Sequence, residues 1–120
     1  MAVRVFLVED LENVQVLLRE LLRTVPGLEV VGTAVDEGRA RAWLDANPEG
    51  WDVAIVDLVL GQGSGFGVIS RASRAPRQVV VFSSYVTDNI RAHCERLGAT
   101  AVFDKADSQG LIDWLRRLPR

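Results

Sequence analysis

Val53-Ala54-Ile55-Val56-Asp57-Leu58 sets an apolar run directly against one carboxylate, and the glycine-rich stretch Gly61-Gln62-Gly63-Ser64-Gly65 follows. A run that is apolar on both faces reads as a central strand of a parallel sheet, with helices burying it from each side. An aspartate at the C-terminal end of such a strand opens onto the crevice where open α/β sheets bind ligands. The chemistry of the chain therefore turns on which other residues reach Asp57.

Outward from that strand the pattern repeats. Val3 to Val8 is β-branched and apolar and ends in Glu9-Asp10. Leu11 to Thr24 carries Val14, Leu17, Leu18, Leu21 and Leu22 at helical spacing, with Asp10 placed to cap the helix and Pro26-Gly27 to end it. Leu28 to Ala34 is predicted as a strand. A helix follows from Asp36, with Ala40, Trp43 and Leu44 inward, and Asn47-Pro48-Glu49-Gly50 turns the chain. Beyond Asp57, Ser64 to about Arg74 is a weaker helix with Phe66, Ile69 and Ala72 apolar. Gln78 to Phe82 is a buried strand ending in Ser83-Ser84. Thr87 to Leu97 is a helix closed by Gly98. Thr100 to Phe103 is a short strand ending near Asp104-Lys105, and Asp107 to Leu118 is the last helix. Strict alternation with short connections predicts a flavodoxin-like (βα)5 three-layer α/β sandwich, its parallel sheet ordered 2-1-3-4-5.

The bulk properties bound the function. The 120 residues make one domain, 1–120, large enough for a real core. Hydrophobic content of 48% and charged content of 25% are those of a soluble globular protein. A net charge of −2 argues against a nucleic-acid-binding surface, and no apolar run approaches a membrane span. Met1-Ala2-Val3-Arg4 enters a strand at once, which leaves no room for a signal peptide. The single Cys94 precludes an internal disulfide and fits a reducing compartment, so the expected localisation is cytoplasmic.

In a 2-1-3-4-5 order the first and third strands are neighbours. That order gathers Glu9, Asp10 and Asp57, with the Ser83 hydroxyl and Lys105 ammonium beside them. Three carboxylates in one pocket repel one another, and a divalent cation removes the conflict. Hard oxygen ligands with room for water suit Mg²⁺. A metal-neutralised Asp57 with Lys105 alongside is an acceptor for a phosphoryl group, since charge stabilisation is most of what a protein contributes to that transfer.

These pieces, in this order, resemble the receiver domain of two-component response regulators over essentially the whole chain: Glu9-Asp10, Asp57, Gly65, Ser83, and Lys105 at the end of Gly98-Ala99-Thr100-Ala101-Val102-Phe103-Asp104-Lys105. The resemblance implies that Asp57 accepts phosphate from a histidine kinase or histidine phosphotransfer protein. It implies Mg²⁺ held by Glu9, Asp10, Asp57 and the backbone carbonyl of Val59. Lys105 would pair with the phosphoryl oxygens, and the Ser83 hydroxyl would swing to bond the phosphoryl group. That movement would change the face made by the fourth helix, fifth strand and fifth helix, a population shift driven by contacts only the phosphorylated state makes. Family members often dimerise through this face, near which Ile90, Arg91, Trp114 and Arg117 fall.

The chain departs from the family in three respects, at four positions. Val102 stands where an aromatic usually precedes the lysine by three, so the coupling from Ser83 is expected to be altered. Ala106 replaces the usual proline after Lys105. A cis bond without proline costs about 3 kcal/mol, so a trans bond and a differently shaped loop are expected. Val59 and Tyr85, two after Asp57 and two after Ser83, lack the polar groups that often position a hydrolytic water, which implies slow loss of the phosphoryl group.

Blander readings compete. Glu9-Asp10 alone is a helix cap, Asp57 a strand-end turn residue, Lys105 a solvated lysine, and Ser84 rivals Ser83 as the hydroxyl. The glycine-rich stretch lacks the Gly-Lys-Ser/Thr ending of a nucleotide loop and reads as a flexible loop beside Asp57. A haloacid-dehalogenase-type phosphatase would want a second acid where Val59 stands. His93 reads as surface, Cys94 as core, and Trp114 as packing or a partner surface. The leading function is a phosphorylation-dependent signalling switch, not an enzyme on external substrates. It is expected to end at its own receiver and to act by binding a downstream protein target or by passing the phosphoryl group on in a relay. The alternatives are the excised receiver of a longer DNA-binding transcription regulator, with a fused output domain, which the likeness of the Pro26-to-Gly32 stretch to receivers on LuxR-type helix-turn-helix domains favours, and a non-phosphorylated pseudo-receiver scaffold.

Overall fold

In the computed structural model, residues 2–74 and 76–119 are described; Met1, Ala75 and Arg120 lie outside them. The strand around which the sequence is organised is β3 (Val53–Val56), and every residue of it is buried. The elements before it are β1 (Val3–Val8), α1 (Glu12–Leu22), β2 (Leu28–Ala34) and α2 (Glu37–Ala46). Those after it are α3 (Gly65–Ala72), β4 (Gln78–Ser83), α4 (Asp88–Leu97), β5 (Ala101–Asp104) and α5 (Ser108–Arg116). The strands form one parallel sheet in the order β2-β1-β3-β4-β5, the predicted flavodoxin-like order.

The period of two along each strand explains the layers. Ala54 and Val56 of β3, with Phe6, Val8, Val79 and Val81, face Ala40, Leu44, Ile69 and Cys94 of α2, α3 and α4. Val53 and Ile55, with Val5, Leu7, Val80 and Phe82, face Leu18, Leu22, Leu111 and Leu115 of α1 and α5. Each central strand must be apolar on both faces because helices cover both, and at about 25 cal/mol per Å² this burial is the main stabilising force. Trp43 is half-buried and stacks on Phe6 at 4.0 Å.

Most helix starts follow local chemistry. Asp36 accepts from the Arg39 N–H at 2.8 Å, Ser64 from Phe66 at 3.1 Å, Thr87 from Ile90 at 3.2 Å and Asp107 from Gly110 at 2.9 Å. Gly98, at φ 113°, closes α4 in the left-handed conformation that glycine adopts without penalty. The predicted cap of α1 is corrected. Its N-cap is Leu11, with no side-chain cap bond, and the Glu9 carboxylate accepts the Leu11 N–H at 3.2 Å. Asp10 instead joins a carboxylate cluster with Glu9 and Asp57. Element ends shift slightly: α1 stops at Leu22, β4 takes in Ser83, β5 runs one residue later than predicted, and α5 ends at Arg116.

The glycine-rich loop, expected to be flexible, is bonded to α2 and across itself. Glu37 of α2 accepts the Ser64 N–H at 2.9 Å and its own N–H donates to the Gln62 carbonyl at 3.3 Å. Val59 and Ser64 pair across the loop. Gly65 then starts α3 hard against the end of β3. Its N–H donates to the Leu58 carbonyl at 3.0 Å, and a Cβ there would lie 2.1 Å from the Asp57 carbonyl oxygen. No helix among the described residues is long and apolar enough to cross a membrane.

Candidate functional site

Four strand ends converge. β1 delivers Glu9, β3 delivers Asp57, β4 ends on Ser83, and β5 leads into Lys105. The backbone sets this register: the Asp57 N–H donates to the Val8 carbonyl at 3.0 Å and the Lys105 N–H to the Ser83 carbonyl at 2.9 Å. Parallel strands of matched register bring their C-terminal residues to one edge, which is why residues from distant parts of the chain meet here.

Asp57 is 6% exposed, Glu9 1% and Ser83 0%, so the chemistry takes place where charges are weakly screened. The Ser83 hydroxyl donates to Asp57 Oδ1 at 2.8 Å, and the Val59 N–H donates to the same oxygen at 3.3 Å. Lys105 Nζ donates to Asp57 Oδ2 at 3.0 Å and to Glu9 Oε1 at 2.6 Å. Both Asp57 oxygens are thus held. In the unmodified site the Ser83 hydroxyl is turned toward Asp57. Ser84 is exposed, so burial and contact single out Ser83 of the two hydroxyls.

Electrostatics follow from the crowding. Burial pushes the Glu9 carboxyl up, against the downward pull of Lys105 and with the Asp10 carboxyl adding to the rise. Burial works against the Lys105 charge, but its bonds to Glu9 and Asp57 outweigh that and hold its pKa above the ordinary lysine value. Ligand oxygens of Glu9, Asp10 and Asp57 lie within 4.8 Å of one another. Three carboxylates against one ammonium leave an excess of negative charge built entirely from hard oxygens, and that donor set fits a divalent cation such as Mg²⁺. A cleft of about 250 Å³ opens over the cluster, lined by Asp10, Leu11, Val59, Ser84, Tyr85 and Lys105 among others.

The remaining predicted residues fall around this centre. Val59 and Tyr85 flank the cleft with their side chains 70% and 86% exposed. Val102 is buried in the core on the α4 side, and the described peptide bonds, that before Ala106 included, are all trans. His93 is exposed and meets Phe66 edge-on at 4.9 Å. Cys94 is buried, and Trp114 packs half-buried in the α1/α5 layer. Two residues near the site gave no sequence signal. Gln15 Nε2 donates to the Glu9 carbonyl at 2.6 Å, and Asp104 accepts N–H groups from two loops. Gln15 lies near the start of α1, and a polar residue at such a position is too generic a signal to single it out.

An α/β sheet with an acid cluster, a buried hydroxyl and a lysine on its carboxyl edge defines a class, and comparison with known proteins agrees. The model of the response regulator receiver domain matches residues 5–116. The chain belongs to that family. It is 33% identical over 107 residues to protein-glutamate methylesterase/protein-glutamine glutaminase 5 of Myxococcus xanthus, covering 86% of this chain and 30% of that protein. The chain spans under a third of the length of the curated relatives it matches. The phosphorylated cyanobacterial phytochrome response regulator RcpA superposes with a TM-score of 0.79 at 27% identity, covering 97% and 90% of the two chains. The CheX-CheY-BeF3-Mg²⁺ complex of Borrelia burgdorferi gives a TM-score of 0.86 at 17% identity, covering 94% and 86%.

Proposed function

We propose that this receiver is a phosphorylation-dependent switch in which Asp57 accepts a phosphoryl group from a histidine kinase or histidine phosphotransfer protein. The observation that carries the reading is the Asp57 carboxylate gripped on one oxygen by Ser83 and on the other by Lys105. A carboxylate oxygen attacks phosphorus as the bond to the donor nitrogen breaks, and that bond's electron pair stays on the donor imidazole. Lys105 offsets charge on the phosphoryl oxygens, and the Ser83 hydroxyl donates to them. Glu9, Asp10, Asp57 and the Val59 carbonyl are the residues to hold Mg²⁺, which supplies charge neutralisation and orientation when bound.

The phosphodonor has a surface to dock on. Val14, Leu17, Leu21 and Phe82 line an apolar groove of about 400 Å³ between α1 and α5, and Lys105 and Ser108 stand at its edge. Leu17 is 65% exposed there, an arrangement that favours cover by a partner. Because Lys105 also touches Asp57, a protein seated in the groove sits next to the acceptor. The face of α4, β5 and α5 is the output surface for a downstream target or a second copy, and the protein works in the cytoplasm.

A second reading concerns what the switch drives. The longer curated relatives, all protein-glutamate methylesterase/protein-glutamine glutaminases, favour a parent protein in which this receiver is joined to an enzymatic output domain. Reading the coding sequence past Arg120 tests it.

The test of the main reading is intact mass after acetyl phosphate and Mg²⁺, for wild type and Asp57→Asn, with size exclusion of both. One added phosphoryl group in the wild type alone is expected. No adduct at early times with excess Mg²⁺ would turn the reading to a pseudo-receiver scaffold.

A further inference from the structure

We infer that Asp104 is a positioning residue for phosphoryl transfer, one carboxylate that holds both the loop following Ser83 and the turn carrying Lys105. The inference rests on the phosphoacceptor reading of Asp57 and adds a residue to it.

Asp104 is the last residue of β5 and pairs in register with Ser83, the last of β4. Its two oxygens divide the work. Oδ1 accepts the Ala106 N–H at 2.8 Å and closes the turn around Lys105. Oδ2 accepts the Val86 N–H at 3.3 Å, across the gap to the β4–α4 connection. Backbone N–H groups, Ala106 foremost and then Val86, with a smaller pull from Tyr85, hold the Asp104 carboxyl below the usual range. The Asp104 carbonyl also accepts the Asp107 N–H at 2.8 Å, so the residue anchors the 104–107 turn from both ends.

Tyr85 has φ 60°, a left-handed conformation that a bulky side chain rarely takes. Its side chain is 86% exposed, so packing does not hold it there. What holds it is the backbone on either side. Ser83 is buried against Asp57 on one side, and the Val86 N–H donates to Asp104 on the other. Release of that carboxylate leaves Tyr85 free to relax to a right-handed or extended backbone, and Ser83, two residues away, moves with it. The same release opens the turn that aims Lys105. Both groups that grip Asp57 therefore depend on one side chain that touches neither the phosphoryl group nor a metal ligand. Ala106 is part of the device, because its N–H is one of the donors.

The experiment measures phosphorylation by acetyl phosphate, Mg²⁺ affinity by isothermal titration calorimetry, and amide hydrogen exchange at Tyr85 and Val86, in wild type, Asp104→Ala and Asp104→Asn. Asp104→Ala is expected to slow phosphorylation about tenfold, as for a misplaced catalytic group, with Asp104→Asn in between because its amide oxygen keeps one acceptor. Mg²⁺ affinity stays within about twofold in both, since the acid cluster is untouched; general loosening of the fold would weaken both quantities together. Exchange at Tyr85 and Val86 quickens in Asp104→Ala. Phosphorylation within about twofold of wild type in a folded Asp104→Ala overturns the inference. If Asp104→Ala does not fold, Asp104→Asn decides by the same criteria. If the wild type takes no phosphoryl group, the phosphoacceptor reading fails instead, and the exchange data alone judge the link: unchanged exchange overturns it, faster exchange upholds Asp104 as the tie between the two loops.

Discussion

Gly65→Ala tests whether the acid pocket and the start of α3 share one rigid junction. An added Cβ would lie 2.1 Å from the Asp57 carbonyl oxygen and 2.7 Å from the Leu58 Cα. Both are backbone atoms, so no side chain can swing aside. Ordinary contact begins near 3.4 Å, so the helix start and the end of β3 must part by about 1.3 Å, from the two distances. That separation strains the bond from the Gly65 N–H to the Leu58 carbonyl, now 3.0 Å. Overpacking of a tight junction costs about 1–3 kcal/mol, and rigid backbone puts this case at the upper end. For a domain of this size about 3 kcal/mol lowers Tm by roughly 12 °C. The displaced Asp57–Leu58 peptide also carries the Val59 N–H away from Asp57 Oδ1, so phosphorylation should slow as stability falls. Gly38→Ala is the control. Its nearest neighbour would be 3.7 Å from the new Cβ, and it lies within α2, where alanine is favoured over glycine by about 0.5–1 kcal/mol. Thermal unfolding of the two variants side by side is the assay. A Gly65→Ala protein melting within about 3 °C of wild type would refute the claim that this junction cannot yield.

Two further predictions bear on other parts of the molecule. Arg4 pairs with Asp52 through Nε and Nη2, both at 3.1 Å, and its N–H adds a bond at 2.8 Å. The Arg4 hydrogen bond above all holds the Asp52 carboxyl below its ordinary value. A depressed carboxylate stabilises the fold above its unfolded pKa and loses that contribution as pH falls through the folded one. Because the pair is part-exposed, Asp52→Asn should lower stability at pH 7 by less than about 1 kcal/mol, and the gap in Tm should narrow as pH falls below the ordinary aspartate pKa of about 3.9; a gap that stays constant as pH falls counts against the pairing. At the cleft mouth, Val59 offers no group to orient water, so phospho-Asp57 should persist for minutes. Val59→Asn should shorten its lifetime about threefold, as followed by mass after removal of acetyl phosphate, and a wild-type lifetime of seconds sinks this idea.

The order of elements and the location of the site were legible because each rests on short-range pattern. Both-face apolar runs at Val53–Val56 and Val79–Phe82 read as buried parallel strands, and the residues after them had to lie on one edge once the topology was 2-1-3-4-5. Asp36, Ser64, Thr87 and Asp107 capped their helices as local chemistry dictates. Asp10 does not cap α1 because its neighbour Glu9 accepts the Leu11 N–H. The Asp10 carboxylate belongs to a cluster with Asp57.

What pattern could not reach were contacts between side chains and loops far apart in sequence. Glu37 and Ser64 are separated by 27 positions, Val86 and Asp104 by 18. Nothing in either neighbourhood marks the partner, since an exposed-looking acid beside a glycine or a lysine is ordinary surface composition. Propensity and periodicity depend on neighbours within a turn or a strand, so they settle elements, their faces and the strand ends where chemistry gathers. Which loop a given carboxylate ties down depends on packed helices and matched strand register, and only the folded chain brings those N–H groups within reach.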